Sequence, residues 1–149
     1  MKQIEKISEG AAYSAVSAGK FAELSEHLLV LAPEVQIPGK VFMGSALKAT
    51  GAEISLQSFP VGGETGFLHT HQTHEELYIF VKGCGKFQVD GEIFAIGEGS
   101  VVRVAPSAKR SVRNTGDEPL VMVCVQYKAE SFSAEDATDG VILNEPVSW

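Results

Sequence analysis

Long apolar runs are absent from this 149-residue chain: its longest strings reach five or six residues, where a membrane span needs about 18. Cysteine is scarce as well, with only Cys84 and Cys124, both inside strand-like stretches. The opening segment MKQIEKISEG alternates charges and has no apolar core of a secretory signal. The expectation is therefore a cytoplasmic protein whose two cysteines are reduced core thiols, not a disulfide. Basic residues are in the minority, 12 against 19 acidic, and the net charge of −7 argues against a phosphate-tracking surface. Neither nucleic acid nor a membrane is an expected partner. A Gly-rich phosphate loop, a serine-hydrolase elbow and a Cys-x-x-Cys pair are all missing, as is any repeat of solenoid period. What is present, 44% hydrophobic and 21% charged residues, suits one soluble globular domain with a substantial core.

Texture divides the chain into an N-terminal helical or irregular extension over 1–39, a body over 40–128 and a tail over 129–149. From Ser17 to Leu31 the apolar residues Phe21, Leu24, Leu28 and Leu31 recur at helical steps. His27 is placed on the polar side of this segment, at the surface. Pro33 and Pro38-Gly39 then end any helix. Beyond residue 40 the pattern predicts short strands at Val41–Met43, Glu53–Phe59, Phe67–His71, Leu77–Val81, Gly85–Val89, Glu92–Ile96, Ser100–Ala105, Ser111–Asn114 and Leu120–Tyr127. Asp90-Gly91 between KFQV and EIFAI is the strongest hairpin signal, because a type I′ turn requires positive φ at both central residues. Many short strands without intervening helices mean an all-β antiparallel sandwich or barrel. The tail is expected to pack on this body through Val141, Ile142, Leu143 and Trp149.

Chemistry concentrates in GETGFLHTHQTHEELYIFVKG, residues 63–83. Alternate side chains of a strand share a face, so Phe67, His69 and His71 point one way. On the following strand Glu76, Tyr78 and Phe80 share one face, and Glu75, Leu77, Ile79 and Val81 the opposite one. If the two strands are neighbours, two imidazoles and a carboxylate converge, a facial set that leaves coordination positions open. The bland alternative is a solvated turn between two strands.

Gly63, five residues, His69-Thr70-His71, four residues, Glu76, six residues, Gly83 resembles the first motif of the cupin superfamily. The run from Gly97-Glu98-Gly99 through Pro106 to Asn114-Thr115-Gly116 resembles the second. The resemblance covers roughly residues 52–127 and implies a double-stranded β-helix, the cupin-type jelly-roll barrel. It also implies a divalent metal ion (Zn, Ni, Mn or Fe) on His69, His71 and Glu76.

The second motif departs from the pattern, which usually supplies a fourth ligand, a histidine. Counted from Pro106, Ser111 takes that position; counted back from Asn114, Arg110 does. Ala108 stands near the place of a usual glycine. With Ser111 inward, a three-ligand centre results, to which His74 could add a donor. With Arg110 inward, its charge opposes the ion, and it instead pairs with Glu76 or holds a substrate carboxylate. Arg103, Lys109, Arg110 and Arg113 form the only basic concentration, either a solvated rim or a mouth for an anionic molecule. Tyr78, Phe80 and Phe67 would wall the pocket. The expected partner is a small organic ligand or substrate. Turnover would be isomerase- or dioxygenase-like, with no catalytic residue assigned beyond Glu75 or Tyr78 as candidates. A homodimer is expected, with Val41–Met43 as an edge strand, or a scaffold with a disused pocket.

Overall fold

Alternation of buried and exposed side chains, the signature of strands solvated on one face, runs through the middle of the chain and sets its architecture. The computed structural model describes all residues 1–149. Twelve strands follow in order: β1 Glu5–Gly10, β2 Tyr13–Ser17, β3 Leu28–Ala32, β4 Val35–Pro38, β5 Lys40–Phe42, β6 Ala52–Phe59, β7 His74–Lys82, β8 Cys84–Val89, β9 Glu92–Gly97, β10 Val101–Val104, β11 Arg110–Asn114 and β12 Leu120–Lys128. A five-stranded sheet has the order β10-β7-β12-β6-β5, and a three-stranded sheet the order β11-β8-β9. From β7 to β12 the chain passes between the two sheets four times, and every pairing is antiparallel. This is the double-stranded β-helix expected from the sequence.

The first crossing needs a glycine. Gly83 has φ 78°, and a Cβ there would sit 2.6 Å from the Pro119 carbonyl oxygen. The β8–β9 hairpin closes through Asp90 and Gly91, both at positive φ (49° and 91°), as a type I′ turn requires. The main core lies between the sheets and includes Phe59, Phe80, Phe87, Val104, Val112 and Leu120. Phe87 is fully buried, with its ring edge-on to Tyr78 and Phe80.

The N-terminal extension differs from the helix expected over Ser17–Leu31. Only Phe21–Glu26 is helical, as a 3₁₀ segment, and the flanks form the hairpins β1–β2 and β3–β4. Leu24 is the single buried residue of that segment, and it joins Ala18, Val41, Met43 and Val121 in a second core on the outer face of the larger sheet. His27, expected at the surface, is instead 3% exposed, with Nε2 2.9 Å from the Ala18 carbonyl. Its partner lies outside the local helical pattern, so periodicity could not find it. His27→Ala is expected to destabilise the protein by about 2 kcal/mol, through a cavity and an orphaned carbonyl, measured by urea unfolding.

Three other expectations are corrected. Phe67–His71 is not a strand: it runs extended along β11, held by isolated bridges of Glu64 to Arg113 and His69 to Arg110. Cys84 is exposed on β8, and only Cys124 is a core thiol; both are free. Val141, Ile142, Leu143 and Trp149 are exposed, because the N-terminal residues already cover the outer face that the tail would need. The edge position of β5 is as expected, although Val41 lies buried beneath the extension. No helix is long and apolar enough to cross a membrane.

Candidate metal centre

On β7 every second residue turns inward, so Glu76, Tyr78 and Phe80 are 2%, 3% and 1% exposed. The extended segment along β11 carries His69 and His71 over the same point. Backbone bonds fix it there: Thr65 N–H donates to the Val112 carbonyl, Arg110 N–H to that of His69, and His71 N–H to that of Pro106. The imidazoles and Glu76 thus meet across the two sheets, not from neighbouring strands.

His71 Nε2 lies 3.1 Å from Glu76 Oε1, and His69 Nε2 lies 3.6 Å from Oε2. One donor atom from each of the three residues falls within 4.8 Å of the others. His71 Nε2 is buried and makes no hydrogen bond, although a carboxylate oxygen is this close. Its nitrogen is near the oxygen without being aimed at it.

Glu76 is held from several sides. Tyr78 O–H donates to Oε2, the Gln126 amide donates to Oε1 at 3.0 Å, and Cys124 Sγ stands 3.5 Å from Oε1. Burial pushes its pKa up, but interactions with His69 and Tyr78 and the charges of His71 and Arg110 outweigh this. The carboxyl is held well below the usual range. Burial, then the Glu76 charge, pushes the Tyr78 phenol and the Cys124 thiol far up, so both stay protonated.

The second motif's ambiguity resolves in favour of Arg110. Along β11, Arg110, Val112 and Asn114 face inward, while Ser111 and Arg113 face away. Arg110 is fully buried, with Nε 3.3 Å from Glu76 Oε2 and no hydrogen bond between them. Its Nη2 donates to the Ala105 carbonyl at 2.9 Å, and its Nη1 to those of His69 and Pro106 at 3.3 and 3.4 Å. Ser111 instead shares an outer groove with Glu64, Lys86 and Arg113.

The remaining candidates scatter. His74 is exposed at the start of β7, its ring 6.3 Å from that of His71, and is not one of the converging donors. Phe80 belongs to the core beside Phe87, and Phe67 is half exposed, edge-on to His69. Glu75 points away from the site and pairs with Arg103 at the surface. Arg113 pairs with Glu64, so the basic concentration is divided between the surface and a single interior guanidinium. Gln126 went unnoticed in the sequence, where Cys124 figures only as a core thiol. Their parity with Leu120 and Met122 marks them as inward, but only the pairing of β12 with β7 puts Gln126 opposite Glu76.

The model of the "Cupin domain" family matches residues 55–126. A cupin protein of Bacteroides fragilis is 33% identical, with a TM-score of 0.66, covering 77% of this chain and 94% of that one. An uncharacterized protein of Methanocaldococcus jannaschii is 35% identical over 77 residues, 52% of this chain and 59% of that protein's length. The structure of a predicted oxalate decarboxylase from Thermotoga maritima is similar in fold, with a TM-score of 0.57 at 21% identity, covering 68% of this chain and 90% of that one.

Proposed function

The chain belongs to the cupin superfamily, and from that premise we propose that His69, His71 and Glu76 hold a divalent metal ion that receives a small, anionic organic molecule. The supporting observation is the buried His71 Nε2, 3.1 Å from Glu76 Oε1 yet not hydrogen-bonded to it. Two donors at right angles on an ion with bonds of about 2.1 Å are about 3 Å apart, with lone pairs aimed at a common point and not at each other. A hydrogen-bonded pair would aim its N–H at the oxygen.

When bound, such an ion supplies a Lewis acid that polarises a carbonyl or carboxyl oxygen placed in its open positions. The chain's own part is positioning. Tyr78 and Gln126 each fix one oxygen of Glu76, as outer partners of a ligand do. Arg110 occupies the place of the fourth histidine, and its charge is the least of the interactions, after those with His69, Tyr78 and His71, that hold the carboxylate ionised. Its charge also weakens the hold on a cation, which leaves three protein donors. With Glu75 turned away, no side chain is assigned as a general base.

The second reading is a metal-free ligand-binding or sensor protein, favoured by one contact, Arg110 Nε at 3.3 Å from Glu76 Oε2. Elemental analysis of protein purified without added metal separates the two. The expected result is about one Zn, Ni, Mn or Fe per chain, reduced at least about tenfold in occupancy by His71→Ala. Wild-type protein that carries no metal and shows no thermal shift with any of these ions would leave the metal-free reading.

A further inference from the structure

The inner face of the larger sheet carries polar groups that the metal centre does not use. Ser55 lies opposite Cys124, which lies opposite Tyr78, and Gln57 lies opposite Met122 and Lys40. Lys40, Gln57 and Ser55 therefore share the face that bears Glu76, Ser55 one row away from it and Lys40 and Gln57 two. Ser55 is 2% exposed, and its Oγ has no hydrogen-bond partner. Gln57 is 6% exposed. The Lys40 ammonium enters none of the chain's ion pairs and rests near the face of Phe42, 5.3 Å from its centroid.

Lys40, half-buried at the edge of this face, leaves the set with one charge too many. Arg110 is matched by Glu76, whereas Lys40 has no acidic partner, and a bound cation would add to the imbalance. Burial lowers the Lys40 pKa, while the Glu76 charge opposes this, so the ammonium lies within electrostatic reach of the centre. Buried polar groups and charges without partners are costly, and the economical remedy is a ligand with complementary atoms.

We propose that Lys40, Gln57 and Ser55 form a carboxylate-binding subsite, which holds one end of a small organic acid while its other end reaches His69, His71 and Glu76. This rests on the metal reading for the second contact but not for the first. Alternate residues along a strand are about 7 Å apart and neighbouring strands about 4.8 Å. The Ser55 backbone is thus about 12 Å from that of Glu76 across β12, a gap that the inward side chains narrow to the length of an acid of a few carbons. The ammonium supplies the charge, and the amide and hydroxyl supply neutral donors to the two oxygens.

Calorimetric titration with malonate, and with uncharged malonamide as control, tests the subsite, with metal content measured on every sample. Wild type should bind malonate, Lys40→Met should weaken it by about 10- to 100-fold, and Ser55→Ala by about 5-fold. Malonamide should bind both Lys40 forms alike. Equal malonate affinity in wild type, Lys40→Met and Ser55→Ala, or no malonate binding by wild type, would overturn the proposal. Should Lys40→Met not fold by circular dichroism, Ser55→Ala, a one-atom deletion, decides alone. Metal retained with no Lys40-dependent binding sinks the subsite only; Lys40-dependent binding in metal-free wild type sinks the metal reading only.

Discussion

Arg110→Met should lower stability by about 3–5 kcal/mol, the usual cost of removing one partner from a buried ion pair. In a domain of this size that is a fall in melting temperature of about 10 °C. The fully buried guanidinium compensates Glu76, whose carboxylate is held ionised inside the protein. It also donates to the carbonyls of His69, Pro106 and Ala105, each of which methionine would leave with a backbone donor alone. On the proposed metal reading, the same substitution should also favour the ion, since a positive charge beside Glu76 disappears. Stability of the variant should therefore depend on metal more steeply than that of wild type, and chelator should separate the two melting curves. On the same reading, Arg110→His goes further by adding an imidazole beside the three proposed donors, and should tighten metal binding at least about tenfold. A variant as stable as wild type, with and without chelator, would mean that the Arg110 contact with Glu76 contributes nothing.

How much of this was legible depended on whether a residue's partner was near in sequence. Asp90-Gly91 determines its own turn, and β7 reveals its inward face by alternation, so both could be read directly. The resemblance of the Gly63, His69, His71, Glu76 and Gly83 spacing to a cupin motif named the donors that converge. Register between distant strands was not legible. Whether Arg110 or Ser111 faces inward turns on a loop one residue short, settled only by pairing of Arg110 with Val89 on β8 and by the bridge to His69. A slip of one residue would have exchanged the two. Leu24, Leu28 and Leu31 fit a helical period by coincidence: Leu24 faces a core, while Leu28 and Leu31 lie in a hairpin strand. Short windows cannot separate these cases. Lys40, Ser55 and Gln57 escaped for the same reason, since their common face exists only once β5, β6 and β12 are paired.

Asn114 links both motifs, and its substitution should be the other large loss. It is fully buried, and its amide nitrogen lies 3.1, 3.0 and 2.8 Å from the carbonyl oxygens of Phe59, Pro60 and Glu118, to which it donates, while its Oδ1 accepts from Gly116 N–H. Its backbone N–H donates to the carbonyl of Gly63, the first residue of the histidine motif. Asn114→Ala should cost about 3 kcal/mol, from hydrogen bonds lost at three carbonyls, of which that of Pro60 keeps the Gly63 N–H. Asn114→Asp keeps the volume and the contact to Gly116 but turns the donor into an acceptor facing three oxygens, so near neutral pH it should cost more than alanine. The pH dependence follows in sign. Carbonyl neighbours and burial raise the folded-state pKa of the new acid above its unfolded value of about 4. The penalty is then absent below that value, grows as pH rises, and is complete above the folded pKa. Urea unfolding of Asn114→Asp at acid and neutral pH should show the variant gaining relative to wild type as pH falls. A pH-independent difference between them would mean that the three carbonyls do not face the side chain.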